Sequence, residues 1–308
     1  MTLIQRFYGA VEMGGTNVNC AVLDHDGTVL HRTSFSTEEP EPTLGRVILF
    51  FEEVERSLGL ITAIGVGSFG PLDLNQESPK YGYITSTPKR KWSWTNVLGT
   101  LQDRFGRPVV ITTDVNAAAI GEGAFGAAKS HKSFVYVTVG TGIGAGLIAN
   151  GRPVMGANHP EVGHSMVDIN FDSSKKPGGC PFHGSRCVEG VSSGPSLQKR
   201  WGQKPDQMPR DHRCWKEQAY NLAVLCHNIC AFVAPEKIVL SGGVMRQEHL
   251  FPLIHKSFEE ISNGYFKYLK DIDLSEFIVP STLMGDAGVL GAFCYAKNGN
   301  YDLGESAL

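Results

Sequence analysis

Two stretches of this chain repeat one another. GGTNVNCAVL begins at Gly14, and GTGIGAGLIA begins at Gly140, about 126 residues later. Each follows an apolar run, FYGAVEM or FVYVTV, and each continues into a second apolar run. A duplicated unit of strand, glycine turn and strand predicts two lobes of related topology facing each other across a cleft. Elsewhere strand and helix signals alternate from end to end, the pattern of an α/β protein.

A chain of 308 residues exceeds the usual single core, which agrees with two lobes. The expected division is 1–114 plus about 287–308 for a small lobe. Residues 115–286 then form a large lobe with a Cys/His-rich loop and two glycine turns. An amphipathic helix opens at Thr43 and stops at Gly59, and RPVVITTD reads as a strand running into the helix VNAAAIGEGAFGAA. A long helix ends at Pro235, and a last one starts at Asp286.

The formal charge of −3 and the lack of any basic stripe exclude a polyanion partner; Lys89-Arg90-Lys91 is too short to count. No nucleic acid is expected. The opening MTLIQRFYGAVEMGG lacks a signal-peptide pattern and no apolar run is long enough to span a bilayer, so a cytoplasmic protein without membrane attachment is expected. Seven cysteines, an odd number in a chain this size, fit a reduced thiol inventory better than a disulfide framework.

In Glu12-Met13-Gly14-Gly15-Thr16-Asn17, two glycines after a strand let backbone N–H groups approach a phosphate, and Thr16 adds a donor. Glu12 stands where it could hold a hydrated magnesium ion beside those phosphates. The second turn, Gly140-Thr141-Gly142, has the alternating glycines of a dinucleotide fingerprint. A strand and the turn Asn150-Gly151 follow it instead of a helix, which disfavours a nicotinamide site. Two homologous glycine turns suit the phosphates of one nucleotide. Gly242-Gly243, after the strand KIVLS, would let backbone pass close to a flat ligand such as adenine. Asp114, at a strand–helix junction, is placed either as a general base or as a helix N-cap.

Cys180-Pro-Phe-His183-Gly-Ser-Arg-Cys187 offers two thiolates and an imidazole at spacing that fills three tetrahedral positions on zinc. His159 or His164 supplies the fourth. HPEVGH is not a helical His-Glu-x-x-His, because Pro160 and Gly163 interrupt it, so a closed structural site is favoured over a hydrolytic one.

Taken together, EMGGTN, GVGSFGPLDL, YGYITSTPKRKW, TDVNAAAIGE, VGTGIGAG, HPEVGH, GCPFHGSRC, VEGVSSGPSL, VLSGGV and DAGVLGA resemble the ROK family of sugar kinases, over nearly the whole chain. Within it the bacterial fructokinases are the nearest in pattern. The resemblance implies a two-lobed actin-like ATPase (ribonuclease H-like) fold, a homodimer, and ATP-dependent phosphorylation of a hexose, foremost D-fructose to fructose 6-phosphate. A broader hexose kinase acting on mannose or glucose is the alternative. It implies Asp114 as the base, and Glu161, His164, Glu189, Gly70 and Pro71 around the sugar. Gly14, Gly15, Thr16, Gly140, Thr141, Gly142, Gly242 and Gly243 would contact ATP. His164, Cys180, His183 and Cys187 would hold a structural zinc ion, and Glu12 a magnesium ion through water.

Departures from the family pattern are few. Asn17 stands where many members carry lysine, Thr113 where glucose-type kinases often place asparagine, and the run from His183 to Cys187 is one residue longer than the commonest form. Tyr81, Tyr83, Trp92 and Trp94 could either wall the sugar site or serve packing. Some members are sugar-sensing repressors with a helix-turn-helix segment before the first strand. With about six residues preceding that strand here, DNA reading is not expected.

Overall fold

The computed structural model describes residues 6–167 and 176–299. The remaining ends of the expected small lobe, 1–5 and 300–308, lie outside the described residues. The chain divides into two compact units: described residues 6–130, 151–160 and 285–299 form the first, and 131–150, 161–167 and 176–284 the second.

In the first unit, β1 (Phe7–Met13), β2 (Asn17–Leu23) and β3 (Val29–Ser36) form an antiparallel meander. β4 (Ile61–Ser68) and β5 (Val109–Thr113) add in parallel, giving the order β3-β2-β1-β4-β5. The helices α1 (Pro40–Leu58) and α2 (Val97–Phe105) cover one face, over a core that includes Val11, Met13, Val47, Phe51, Ile64 and Leu101. α1 begins three residues before the expected Thr43. Pro40 occupies the first turn, where its fixed φ suits a helix and its missing N–H costs nothing, and Thr43 is buried within the helix.

α3 (Asp114–Phe125) and α9 (Ala287–Asn298) pack on each other and against the sheet. The sequence division assigns all but the first residue of α3 to the large lobe, whereas it lies in the first unit, which runs on to residue 130. The cause is the closeness of the α3–α9 crossing, where small residues bring backbone onto backbone. A Cβ on Gly291 would stand 1.6 Å from the Ala117 carbonyl oxygen, and one on Gly121 2.1 Å from that of Ala287. Gly291→Ala gains about 1 kcal/mol of helix propensity but forces the helices apart. A net loss of about 3 kcal/mol is expected from the overpacking, read as a lower urea midpoint at unchanged m-value.

The second unit repeats the plan. β6 (Phe134–Val139) and β7 (Ile143–Ala149) form an antiparallel hairpin, and β6 pairs in parallel with β9 (Lys237–Ser241), which pairs in parallel with β10 (Ile278–Pro280). After β7 the chain turns at Asn150-Gly151, and the short β8 (Arg152–Pro153) lies in the segment 151–160 that belongs to the first unit. The correspondence is direct: β1-turn-β2 with parallel β4 matches β6-turn-β7 with parallel β9. Helices α4 (Val188–Ser192), α5 (Gly194–Trp201), α6 (Cys214–Val233), α7 (Leu250–Ser262) and α8 (Leu274–Phe277) complete the unit. All seven cysteines are buried and free of disulfides. Among the described residues no helix is long and apolar enough to cross a membrane.

Candidate active site and metal centre

In the first unit three candidate elements stand at the carboxyl ends of adjacent parallel strands. The Gly14-Gly15 turn follows β1, the Gly70-Pro71 turn lies just beyond β4, and Asp114 follows β5. Neighbouring strands lie about 4.8 Å apart, so the first and third sit roughly 10 Å from each other in the plane of the sheet. The glycine turn is fixed from both sides. Gly14 N donates to Asn17 O at 2.9 Å, Thr37 Oγ1 donates to Gly14 O at 2.8 Å, and Thr37 N donates to Thr16 O at 2.8 Å.

Asp114 opens α3 but does not cap it. Thr113 is the N-cap, its Oγ1 accepting from Asn116 N at 3.1 Å. Asp114 is half-buried in the first turn, and its Oδ1 accepts from Val115 N at 2.9 Å. Of the two readings open in the sequence, the N-cap therefore falls to Thr113 and not to Asp114.

Glu12 accepts at Oε2 from Asn19 Nδ2 at 2.8 Å and packs against Gly288 at the start of α9. Burial raises its pKa above the ordinary carboxyl range, the Asn19 hydrogen bond opposes this, and the nearby Asp286 carboxylate raises it further. Asp286 also pairs with Arg32 at 2.8 Å. A buried carboxylate with a second acid beside it is a donor set suited to a hard cation.

His159 is not among the clustered ligand residues. It is buried against the Gly70-Pro71 turn, where Leu72 N donates to its Nε2 at 3.2 Å. The aromatic residues divide. Trp92 is fully buried and serves packing in the core, whereas Trp94 is exposed. Tyr81 lines a cavity of about 490 Å³ together with Thr112, Asn116, Arg152 and Tyr295.

In the second unit, His164, Cys180, His183 and Cys187 converge, with one ligand atom from each lying within 4.8 Å of the others. Cys180 Sγ lies 3.7 Å from Nδ1 of both His164 and His183, and Cys187 Sγ lies 3.8 Å from His164 Nδ1. Zinc bonds of about 2.05 Å to nitrogen and 2.3 Å to sulfur at a tetrahedral angle give N···S separations of roughly 3.6 Å. The donor set and its spacing fit. Burial pushes the Cys187 thiol up to about 11, so a cation is what would make its thiolate the stable form.

This cluster joins two segments. Val188 N donates to Ser165 O and Val167 N to Arg186 O, each at 3.0 Å, and Cys187 Sγ accepts from Gly190 N, capping α4. The segment before His164 carries Glu161, and α4 carries Glu189. Glu189 Oε2 accepts from Ile143 N at 3.0 Å, against the Gly140-Gly142 turn. The turn at Val162–His164 lies so close to the same strand that a Cβ on Gly163 would stand 1.9 Å from Ile143 O.

The nucleotide candidates also converge. Gly194 N, at the start of α5, donates to Gly140 O at 2.8 Å, and a Cβ on Gly140 would stand 4.0 Å from Gly243 N. Thr141 is exposed at the turn, and Gly242 takes the left-handed conformation at φ 94°. Sequence reasoning missed the start of α5, although Ser193-Gly194-Pro195 is a legible helix start: Ser193 caps, accepting from Ser196 N.

Comparison with known proteins gives a consistent result. Residues 8–299 match the model of the ROK family. A fructokinase of Zymomonas mobilis is 40% identical over 295 residues, covering 95% of this chain and 97% of its own. A fructokinase of Pediococcus pentosaceus is 39% identical, covering 94% and 97%. The crystal structure of a ROK hexokinase from Thermus thermophilus superposes with a TM-score of 0.73 at 25% identity, covering 94% of this chain and 97% of that one.

Proposed function

Because the chain belongs to the ROK family, we infer that it is an ATP-dependent hexose kinase converting D-fructose to fructose 6-phosphate. The observation that carries this reading is the row formed by the Gly14-Gly15 turn, the Gly70-Pro71 turn and Asp114 at the ends of β1, β4 and β5. Relatives at 39–40% identity that are named fructokinases support fructose as the acceptor.

In this reading the sugar hydroxyl attacks the terminal phosphorus of ATP and its proton passes to Asp114. The bond from that phosphorus to the bridging oxygen breaks, and ADP leaves. Such a transfer asks the protein for positioning and charge neutralisation more than for covalent chemistry. Gly14, Gly15 and Thr16, with Gly140, Thr141 and Gly142, supply backbone and hydroxyl donors to the phosphates, and Gly242-Gly243 admits the base. Glu161, His164 and Glu189, with Gly70 and Pro71, hold the sugar. His164 turns Nδ1 to the cysteines, which leaves Nε2 for a sugar hydroxyl.

Zinc, when bound by His164, Cys180, His183 and Cys187, fixes the segments carrying Glu161 and Glu189. Its chemistry there is structural, since four protein ligands close the site. Magnesium, when bound near Glu12, supplies charge neutralisation to the phosphates.

A panel of hexoses with Mg-ATP, compared by kcat/KM, tests the reading; fructose is expected to rank first. A ranking led by glucose or mannose would replace the fructose assignment with a broader hexose kinase.

Glu12→Gln gives opposite effects on activity and stability. Burial raises the pKa of this acid, so the folded state disfavours its charged form. That cost is absent below the unfolded-state pKa and grows as pH rises through it toward the folded value. At pH 7 the neutral amide removes it while still accepting from Asn19. The nucleotide-free variant should unfold at a higher temperature than wild type, whereas its activity at limiting magnesium should fall about 10- to 100-fold. Calorimetry and a magnesium titration of the rate check the two halves.

A further inference from the structure

We propose that Lys89 supplies the cation of the first phosphate turn, its ammonium contacting the phosphoryl group in transfer; this rests on the kinase reading above. The turn itself, EMGGTN, contains no basic side chain. Backbone N–H groups alone orient a phosphate, but the charge spread over its oxygens in the transition state calls for a positive group as well.

Lys89 is placed to provide it. Its Cε lies 3.6 Å from where a Cβ on Gly15 would stand, so the lysine stem runs over the glycine at van der Waals distance. Its Nζ lies 5.8 Å from the ring centroid of Phe69. Phe69 N donates to Met13 O at 2.7 Å, which sets that residue beside the end of β1, where the turn begins. A separation of 5.8 Å is near the outer limit of a cation–π contact and contributes little. The ring therefore flanks the ammonium without satisfying it.

The segment that carries Lys89 is held firmly. Trp92 is buried, packs edge-on to Phe69 at 5.2 Å between centroids, and donates from Nε1 to Glu38 O at 2.8 Å. Trp92 N donates to Lys89 O at 2.7 Å, closing the short turn that starts at Arg90. The three successive basic residues have different surroundings. Lys91 pairs with Glu39 near the surface, and Arg90 is exposed. Lys89 is half-buried, and among the described residues no carboxylate pairs with it. A compact ammonium on a flexible stem, next to a glycine turn and without an acid partner, suits a phosphate oxygen. It donates hydrogen bonds and gives up no proton; the hydroxyl proton still goes to Asp114.

The test compares Lys89→Met with wild type, because methionine preserves an unbranched stem over Gly15. The expected kcat is about 100-fold lower, equivalent to about 2.7 kcal/mol at 1.36 kcal/mol per tenfold, with KM for fructose within about threefold. Calorimetric titration with Mg-ATP and Mg-ADP should show the preference for ATP reduced about tenfold, since the ammonium meets only the terminal phosphate. A purely structural role would lower stability without moving that ratio. Lys91→Met, on the same segment, should match wild type within about twofold.

A kcat within about threefold of wild type, or a loss confined to KM for fructose, overturns the proposal. If Lys89→Met fails to fold, Lys89→Gln is read by the same two measurements. If wild type transfers no phosphoryl group at all, the kinase reading falls, while the ATP-to-ADP affinity ratio of the variant still decides the role of Lys89: an unchanged ratio overturns it.

Discussion

Asp114→Asn should lower kcat about 1,000-fold while KM for fructose and the unfolding temperature stay close to wild type. General-base catalysis contributes about 10²- to 10⁴-fold, and an amide cannot take the sugar proton. The substitution keeps shape and the local hydrogen bond, because an asparagine Oδ1 can still accept from Val115 N. It also removes a negative charge from the first turn of α3, where the helix dipole favours one, at a cost of about 0.3–1 kcal/mol. The catalytic loss, about 4 kcal/mol at 1.36 kcal/mol per tenfold, is several times larger, so the two effects separate. Thr113 retains the cap, which is why the helix should survive. Steady-state ADP release and a thermal melt measure both quantities. A wild-type rate in this variant would remove Asp114 as the base.

The second large effect follows loss of the Cys/His cluster. Cys187→Ala should abolish binding of one metal equivalent per chain and raise KM for fructose about 100-fold, as expected when positioning groups shift by about 1 Å. Cys187 does two things at once: its sulfur faces His164, and it caps the helix that carries Glu189. Its neighbours also form the backbone ladder to Ser165 and Val167. Without the clamp, Glu161, His164 and Glu189 lose their common frame, and the unfolding temperature should fall because metal binding contributes to folding. Affinity for ATP should fall less, about tenfold at most, because the Gly140 turn is held to Gly194 by a backbone hydrogen bond. Metal analysis and separate titrations of sugar and nucleotide read these outcomes. Loss of the metal with KM for fructose unchanged would contradict the clamp.

Much of the fold was legible because it is written in local signals. Period-2 apolar runs around Gly14 and Gly140 define both hairpins, and the glycines mark the turns without long-range information. What was not legible depends on contacts distant in sequence. The start of α1 was misplaced because Thr43 resembles a cap, although Pro40 sets the first turn. The place of α3 in the first unit depends on α9, whose small residues only matter once the two helices meet.

The site shows the same division. Residue types gave the Cys-x2-His-x3-Cys core, but spacing left His159 and His164 equivalent as the fourth ligand. The structure separates them through the Gly70–Leu72 turn, which takes the His159 ring. Trp92 and Trp94 looked alike in sequence, and burial of one and exposure of the other follow from how the 3-10 turn at Arg90–Trp92 is anchored. Lys89 was hidden for a related reason. Nothing in three consecutive basic residues tells which one turns toward the glycine loop; the burial of Trp92 three positions later decides it.

The central claim is phosphoryl transfer from ATP to fructose, and product analysis tests it most directly. Purified protein incubated with Mg-ATP and fructose should yield ADP and a sugar phosphate in equal amounts, with phosphorus–proton coupling in the NMR spectrum assigning the new ester to carbon 6. Absence of any sugar phosphate with fructose and the other common hexoses, from folded and metal-replete protein, would contradict the account.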